Sequence, residues 1–475
     1  MNRINSRKTS KIRRTLFILL SMLPWLSLIS ADPGWGQESK VLPLTLEECQ
    51  RIALEKNKDI QKAREYRNTV MGRYLEERSA ALPQFAVNAY VNHGRDESQK
   101  SLYRGLFPFE QEIRAAEIGV SQPLYTFGRI GAAIRAAKIG LETAEDQLRI
   151  YQQAALRDVT AAFQDVLLSK ELRTLAIQNL EQKVRTQREA RRKLAAGVAT
   201  DYDVLAADVA VDNARPDVIR AENLIRISRE KLRFILGIEG QEVDAVGTLA
   251  FFLEPSPKYD ETIETALKKR PELSDLKKRV QIYEELVTIY RAGTFPRIDF
   301  KAGWGWKQLD FGTLNFGNPD GEGQAWTAGV YFSFPFFDGM RTQGKVLQAK
   351  TDVANLKIDE AKLLDSIALQ VRDAINYCRE AEEIVQALSG TVRQAERLLA
   401  MAEKGVQALS GTVRQAERLL AMAEKGFEYG VKTQLEVDDA QLNVTRAKSN
   451  LAKAYRDYLV ARVTLEWVKG TLGEK

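Results

Sequence analysis

Residue types that carry chemistry are scarce in this chain, and those present suit electrostatics rather than catalysis. A single histidine, His93, falls on a strand candidate. The two cysteines, Cys49 and Cys378, lie in different halves of the chain, each within a helical pattern. They read as small buried apolar residues, with neither a disulfide framework nor a metal site between them. No Ser/His/Asp constellation and no phosphate loop can be drawn, so neither an enzyme nor a cofactor is expected. Acids are plentiful and mostly interleaved with bases; where a helix begins after the turn Gly430-Val431-Lys432-Thr433, Glu436 and Asp439 stand one helical turn apart on one face. Thr433-Gln434-Leu435-Glu436 is a capping box, in which Glu436 offsets free amides and the helix dipole. An earlier turn, Gly197-Val198-Ala199-Thr200, has Asp203 at the matching place, which supports capping for Glu436. Asp439 has Ala206 as its counterpart, so capping does not account for it.

The elements that hold these turns are very long. The chain has 475 residues, 28% charged and only 8% aromatic, with 13 prolines. That composition, rich in Ala, Leu, Glu, Lys, Arg and Gln, favours uninterrupted helices over a compact core. Gly128 opens a helix with almost no breaker until Gly197. At about 1.5 Å per residue it spans roughly 100 Å and needs partners along its whole length, which implies a coiled coil or helical barrel. Net charge is +6, with Arg3, Arg7, Lys8, Lys11, Arg13 and Arg14 preceding any acid. Elsewhere bases alternate with acids at helical spacing, so no nucleic-acid footprint is expected. Residues 1–31 read as a secretory signal: a basic start, then an apolar run from Thr15 to Ala31 interrupted by Pro24. That run is short for a bilayer span of about 20 residues, so the exported chain is expected to lack a transmembrane helix.

The order of elements repeats. Thr45-Leu46-Glu47-Glu48 caps a helix expected to continue to about Ala81, where Leu82-Pro83 breaks it. The period then changes to two, with Phe85, Val87, Ala89 and Val91 alternating with Ala86, Asn88, Tyr90 and Asn92. After a polar loop from Asp96 to Arg114, a second alternating stretch runs from Ala116 to Tyr125. The long helix follows, then the turn near 197–200, then a helix to Gly237. The same order returns after residue 250. Arg270-Pro271 begins a helix that Phe295-Pro296 ends, and Arg297 to Trp306 and Trp326 to Phe337 are strand candidates around a loop from Lys307 to Ala325. A long helix, the turn near 430–433 and a helix to Gly470 close the second unit. Two structural repeats, 32–250 with a hairpin at 84–125 and 251–475 with a hairpin at 297–337, are therefore expected.

One feature breaks the symmetry. Val385 to Gly405 reads VQALSGTVRQAERLLAMAEKG, and Val406 to Gly426 repeats it letter for letter. The interval from Pro335 to Gly430 exceeds the matching interval from Pro123 to Gly197 by the length of one copy. Simple lengthening would carry the second turn about 31 Å too far. The expectation is local absorption, with a break or bulge near Gly390, Gly405, Gly411 or Gly426. A continuous helix from 345 to 428 would refute it. Pro216, inside the helix after the first turn, should kink that helix or remove one hydrogen bond.

Four short alternating strands do not make a domain. Aromatics collect near their ends, namely Trp304, Trp306, Trp326, Tyr331, Phe332, Phe336 and Phe337, as in the interfacial girdles of transmembrane strands. Four strands cannot close a barrel, and lipid-facing edges are forbidden, so several chains would have to contribute.

Together, Leu44-Thr45-Leu46-Glu47-Glu48, Ala81-Leu82-Pro83-Gln84, Ser121-Gln122-Pro123-Leu124-Tyr125, Gly197 followed by Asp203-Val204-Leu205-Ala206-Ala207, and Gly426-Phe427-Glu428-Tyr429-Gly430 followed by Glu436-Val437-Asp438-Asp439-Ala440 resemble the TolC family of outer-membrane efflux proteins. The resemblance covers roughly Leu44 to Leu472. It implies a mainly α fold with a membrane β-hairpin pair. Three protomers would give four strands each to a 12-stranded barrel, above a long periplasmic α-barrel. It also implies a homotrimer in outer-membrane lipid, acting as exit duct of a tripartite efflux pump or type I secretion system. Its partners would be a periplasmic adaptor (membrane fusion protein) and, through it, an inner-membrane transporter. Carried onto this sequence, the adaptor-contacting tips are Gly197, Val198 and Thr200, and Gly430, Val431 and Thr433. The constriction falls on Glu436 and Asp439, with Lys432 and Phe427 as the latch. Phe427 departs from the family pattern by lacking a hydroxyl. The alternative, a periplasmic coiled-coil adaptor or scaffold, should show one helical hairpin flanked by β-rich domains, which this sequence does not.

Overall fold

The computed structural model describes residues 41–95, 110–249, 257–310, 321–399, 415, 417–419, 421 and 434–473. The part preceding Val41, including the signal-like segment, lies outside them. The described elements come in two runs of similar order. The first holds β1 (Leu42–Leu44), α1 (Leu46–Lys56), α2 (Lys58–Ser79), β2 (Gln84–Arg95), β3 (Glu110–Tyr125), α3 (Arg129–Ala195), α4 (Asp201–Leu236) and β4 (Val243–Ala245). The second holds α5 (Tyr259–Lys269), α6 (Pro271–Arg291), β5 (Arg297–Asp310), β6 (Gly321–Ser333), α7 (Arg341–Leu399) and α8 (Gln434–Val468).

The spine is α3, 67 residues without a break. No propensity holds a helix of that length in water; packing does. It lies against α2, α4, α6 and α8. Val159, Ala162, Phe163 and Val166 on α3 close one core with Cys49 and Ala53 of α1, Leu232 and Leu236 of α4, and the β1–β4 pair. Ile367, Val371, Ala374 and Cys378 of α7 close a second core with Ala266 of α5, Leu273 of α6, and Leu465 and Val468 of α8. Both cysteines are buried and free, and burial pushes their thiols up to about 12 for Cys49 and about 11 for Cys378. They are packing residues. Polar ties cross the helix seams: Asp165 of α3 accepts from Lys231 of α4 at 3.3 Å and from Arg456 of α8 at 2.8 Å.

Several sequence expectations need correction. The helix after Thr45 does not continue to Ala81. Asn57, at φ −58 and ψ 130, ends α1; its side chain caps α2 and donates to the Ile235 carbonyl at 2.8 Å. A long-range hydrogen bond thus sets a boundary that periodicity cannot show. The strands also extend further into the loops than alternation suggested. Ladder pairing reaches Arg95↔Glu110 and Leu309↔Gly321, because backbone hydrogen bonding tolerates polar residues at strand ends. Past Ser333, Phe334 to Phe337 leave the strand. At Pro216 the expectation holds in its milder form: α4 continues as helix, and the proline nitrogen, having no N–H, leaves one helical hydrogen bond unmade. At Gly390 α7 runs on as helix to Leu399, so the break is not there; Gly405, Gly411 and Gly426 lie outside the described residues.

The four longer strands form one antiparallel sheet in the order β2-β3-β5-β6. The junction from each hairpin into its long helix uses left-handed backbone, at Phe127 and Gly128 and again at Gly339 and Met340. Two of these residues carry side chains, so each junction holds some local strain. Phe127 is fixed by Tyr125 at 4.6 Å and by a stacked Phe295 at 5.3 Å.

Candidate functional site

The sheet has two chemically distinct faces, which the register identifies residue by residue. Ile118 pairs with Val87 and Trp304, Trp304 with Trp326, and Val120 with Phe85 and Ala302. Directly opposed residues share a face, so this face is apolar and aromatic. Its large side chains stand in the open: Phe85 is 75% exposed, Val87 76% and Trp326 75%. The other face carries Asn88, Glu117, Lys301, Lys307 and Thr327 among glycines 119, 303, 305, 323 and 329. A side chain at Gly305 would collide with the backbone at Ala116 and Glu117. At that point β3 and β5 approach so closely that only glycine fits. Within the described residues β2 and β6 are edges, each paired on one side only. An exposed apolar face of this extent needs lipid, and open edges cannot stand in lipid.

The first helix turn is built by paired caps. Gly197 takes φ +76, and the Ala196, Gly197 and Val198 amides donate back to Arg192, Leu194 and Lys193. Thr200 then caps α4. The Asp203 carboxylate accepts from the Thr200 amide and hydroxyl, both at 2.8 Å, and the Asp203 amide donates to the Thr200 hydroxyl at 3.3 Å. The amide first and the hydroxyl second hold the Asp203 carboxyl below its ordinary 3.8. Val198 and Tyr202 are left 75% and 78% exposed at the turn.

Of the second turn, Phe427, Gly430, Val431, Lys432 and Thr433 lie outside the described residues. Glu436 and Asp439 fall within the first two turns of α8, with their side chains outside the description. The pairing of helices around this turn is nevertheless informative. Arg191 and Asp208, bonded at 2.9 Å, flank Gly197 unevenly, with Asp208 the further from it. Glu417 and Lys448, also paired, flank Gly430 with the same unevenness, Lys448 being the further by the same margin. Higher up, the match fails. Val166 and Leu232 share the first core and flank Gly197 almost evenly, with Leu232 slightly the further. Cys378 and Leu465 share the second core, yet Cys378 lies much further from Gly430 than Leu465 does. The mismatch between these two core pairs equals one copy of the doubled block. The surplus therefore lies between Cys378 and Glu417.

Between α7 and α8 an open groove of about 550 Å³ is lined by Ala374, Tyr377, Ile384, Val460 and Thr464. Tyr377 is 64% exposed there, so this helix pair presents an apolar face without a partner among the described residues of the protomer.

A lipid-seeking sheet with open edges, mounted on helices of about 100 Å, agrees with what the sequence matches. The profile of the outer membrane efflux protein family matches residues 51–238, 262–408 and 404–471. The chain belongs to that family. Its last two matched segments meet at the doubled block, where the family pattern is interrupted. Among relatives, the outer membrane protein TolC of Vibrio cholerae is 23% identical over 407 residues, covering 84% of each chain. In solved structures, the Campylobacter jejuni CmeC outer membrane channel superposes with a TM-score of 0.75 over 90% of this chain and 87% of that one, at 16% identity. The Neisseria gonorrhoeae MtrE outer membrane channel gives 0.70 over 90% and 89%, at 19% identity. This outer membrane efflux protein thus has the TolC-like channel fold, with its sheet in the outer membrane and its helices in the periplasm. Its role is export through an outer-membrane channel, and its family is one of channels, not of enzymes.

Proposed function

We propose that three copies of this protein assemble into one duct, the exit of a tripartite efflux pump or type I secretion system. The sheet carries this reading. Its apolar face and two open edges call for closure by other strands, and three copies supply the twelve of one barrel. The groove between α7 and α8 then receives the neighbouring protomer. The two helix turns, Gly197-Val198-Ala199-Thr200 and Gly430-Val431-Lys432-Thr433, form the periplasmic tips. They meet an adaptor that links the duct to an inner-membrane transporter. Residues 1–31 are the export signal. The two runs of elements are repeats, 32–250 and 251–475, of one unit.

At the second tip, Glu436 and Asp439 from three copies line a constriction of six carboxylates, an acidic ring that draws cations. Lys432 and Phe427 stand beside it. Phe427 lacks a hydroxyl, so it brings no hydrogen bond to a latch there. Of the doubled block, the second copy docks on α8, as the Glu417–Lys448 pair supports. The first copy is taken up above it, so both tips stay level for the adaptor. Single-channel recording in planar bilayers tests the duct and the ring together. The protein should open steady pores with a cation contribution that Asp439→Ala lowers. Pores of unaltered cation preference in Asp439→Ala would sink the ring, and absence of any pore would sink the duct.

A further inference from the structure

The polar, glycine-rich face of the sheet holds a second set of charges, far from the tips. Its charged residues on the described strands are Arg297, Asp299, Lys301 and Lys307 of β5 and Glu117 of β3. Arg297 and Asp299 neutralise each other at 2.7 Å. Lys301 makes no ion pair among the described residues; its ammonium sits over the Tyr331 ring, 5.2 Å from the centroid. Lys307 has no acidic partner among them either, although the Glu117 strand position lies one diagonal away, opposite Gly305. The Glu117 carboxylate instead lies over Gly303, where a Cβ would stand 4.0 Å from it. Among the described residues the three charges thus stand unneutralised, on a face otherwise made mostly of glycine and small polar residues.

We propose that Lys301 and Lys307 make the barrel interior an anion-favouring filter, opposite in sign to the carboxylates of the tip. The inference rests on the trimeric duct above. Three copies bring six lysines and three glutamates to the lumen wall. The lysines form two rings, about 20 Å apart along the strands. Rings of lysine or arginine are the usual means of favouring anions in a pore. With glycines at 303, 305, 323 and 329, few side chains stand between those ammonium groups and a passing solute. Tyr331 holds Lys301 by its ring without removing its charge. The solutes this end favours are anionic, and the field is felt over a Debye length, roughly 10 Å at 0.1 M salt.

The test is the reversal potential of the full-length protein in a planar bilayer under a potassium chloride gradient at low salt. Lys301→Gln with Lys307→Gln should lower the chloride-to-potassium permeability ratio about two-fold or more. Lys301→Arg with Lys307→Arg should leave it as in the parent, and Glu117→Gln should raise it. An unchanged ratio in the double glutamine variant, in pores of parental conductance, overturns the proposal while leaving the duct intact. Should that variant fail to insert, Glu117→Gln decides alone, and no rise there overturns it. If the parent protein forms no pore, the duct reading fails and the filter falls with it.

Discussion

The α3–α4 hairpin and the α7–α8 hairpin begin from the same sequence elements and reach their turns differently. In the first, pairing stays in one register from the core to the turn: Ser169 meets Ser228 at 2.9 Å, Arg173 meets Glu222 at 3.1 Å, and Arg191 meets Asp208 at 2.9 Å. In the second, α8 keeps two registers with its partner, offset between Cys378 and Glu417 by the length of one copy. A duplication of three heptads keeps the apolar seam in phase, whereas a straight helix would turn by about 60° over the same length. Phase is therefore preserved, but length is not. The returning helix fixes the length, because the interval from Gly197 to Gly237 equals that from Gly430 to Gly470. The difference teaches that a returning helix of unchanged length cannot match a lengthened partner in a single register.

The largest effects come from removing the block. Deleting 385–405 or 406–426 yields the same chain, since the copies are identical. That chain should assemble and conduct like the parent, with the second hairpin now in one register. Deleting 385–426 entirely should abolish channel formation, because α7 would then stop about 31 Å short of the tip. Native electrophoresis and bilayer recording check both. A parent-like channel from the chain lacking both copies would break the comparison.

A finer change asks which copy docks. Glu396 occupies in the first copy the place that Glu417 holds in the second. Glu417→Cys with Lys448→Cys should cross-link readily under mild oxidation, and Glu396→Cys with Lys448→Cys should not. The native Cys49 and Cys378 are buried, so they do not compete. Cross-linking from 396 alone, or from both positions equally, would mean that the first copy reaches α8.

Much of this architecture is written in local patterns. The alternation at Phe85 to Val91 identified a strand with one apolar side, because a period of two survives whatever the sheet packs against. The Thr45 and Thr200 capping boxes were equally legible, since their partners lie one helical turn away. What sequence did not reveal depends on distant chain. Asn57 breaks a helix for the Ile235 carbonyl, and Leu42 to Leu44 form a strand only because Val243 to Ala245 lie beside them. Glu117, Lys301 and Lys307 were passed over because each is an ordinary charge alone. Their shared face follows from the β3–β5 register, which joins the two hairpins. The left-handed Phe127 and Met340 gave no signal, as neither residue type favours that conformation.

The smallest effect separates the two tips by their caps. Thr200→Ala removes the hydroxyl that accepts from the Asp203 amide and donates to its carboxylate. The first amides of α4 should then exchange with solvent about five-fold faster, with global unfolding little changed. Acid should act alike. The Asp203 carboxyl is held below 3.8 in the folded chain, so its contribution is present above that value and is lost as pH falls through the lowered one. Thr433→Ala should accelerate exchange at the start of α8 equally if Glu436 serves as a cap, and pore selectivity should then follow Asp439 alone. If Thr433→Ala leaves exchange unaltered, Glu436 is free to join Asp439 in the ring, and the two tips differ in chemistry as well as in register.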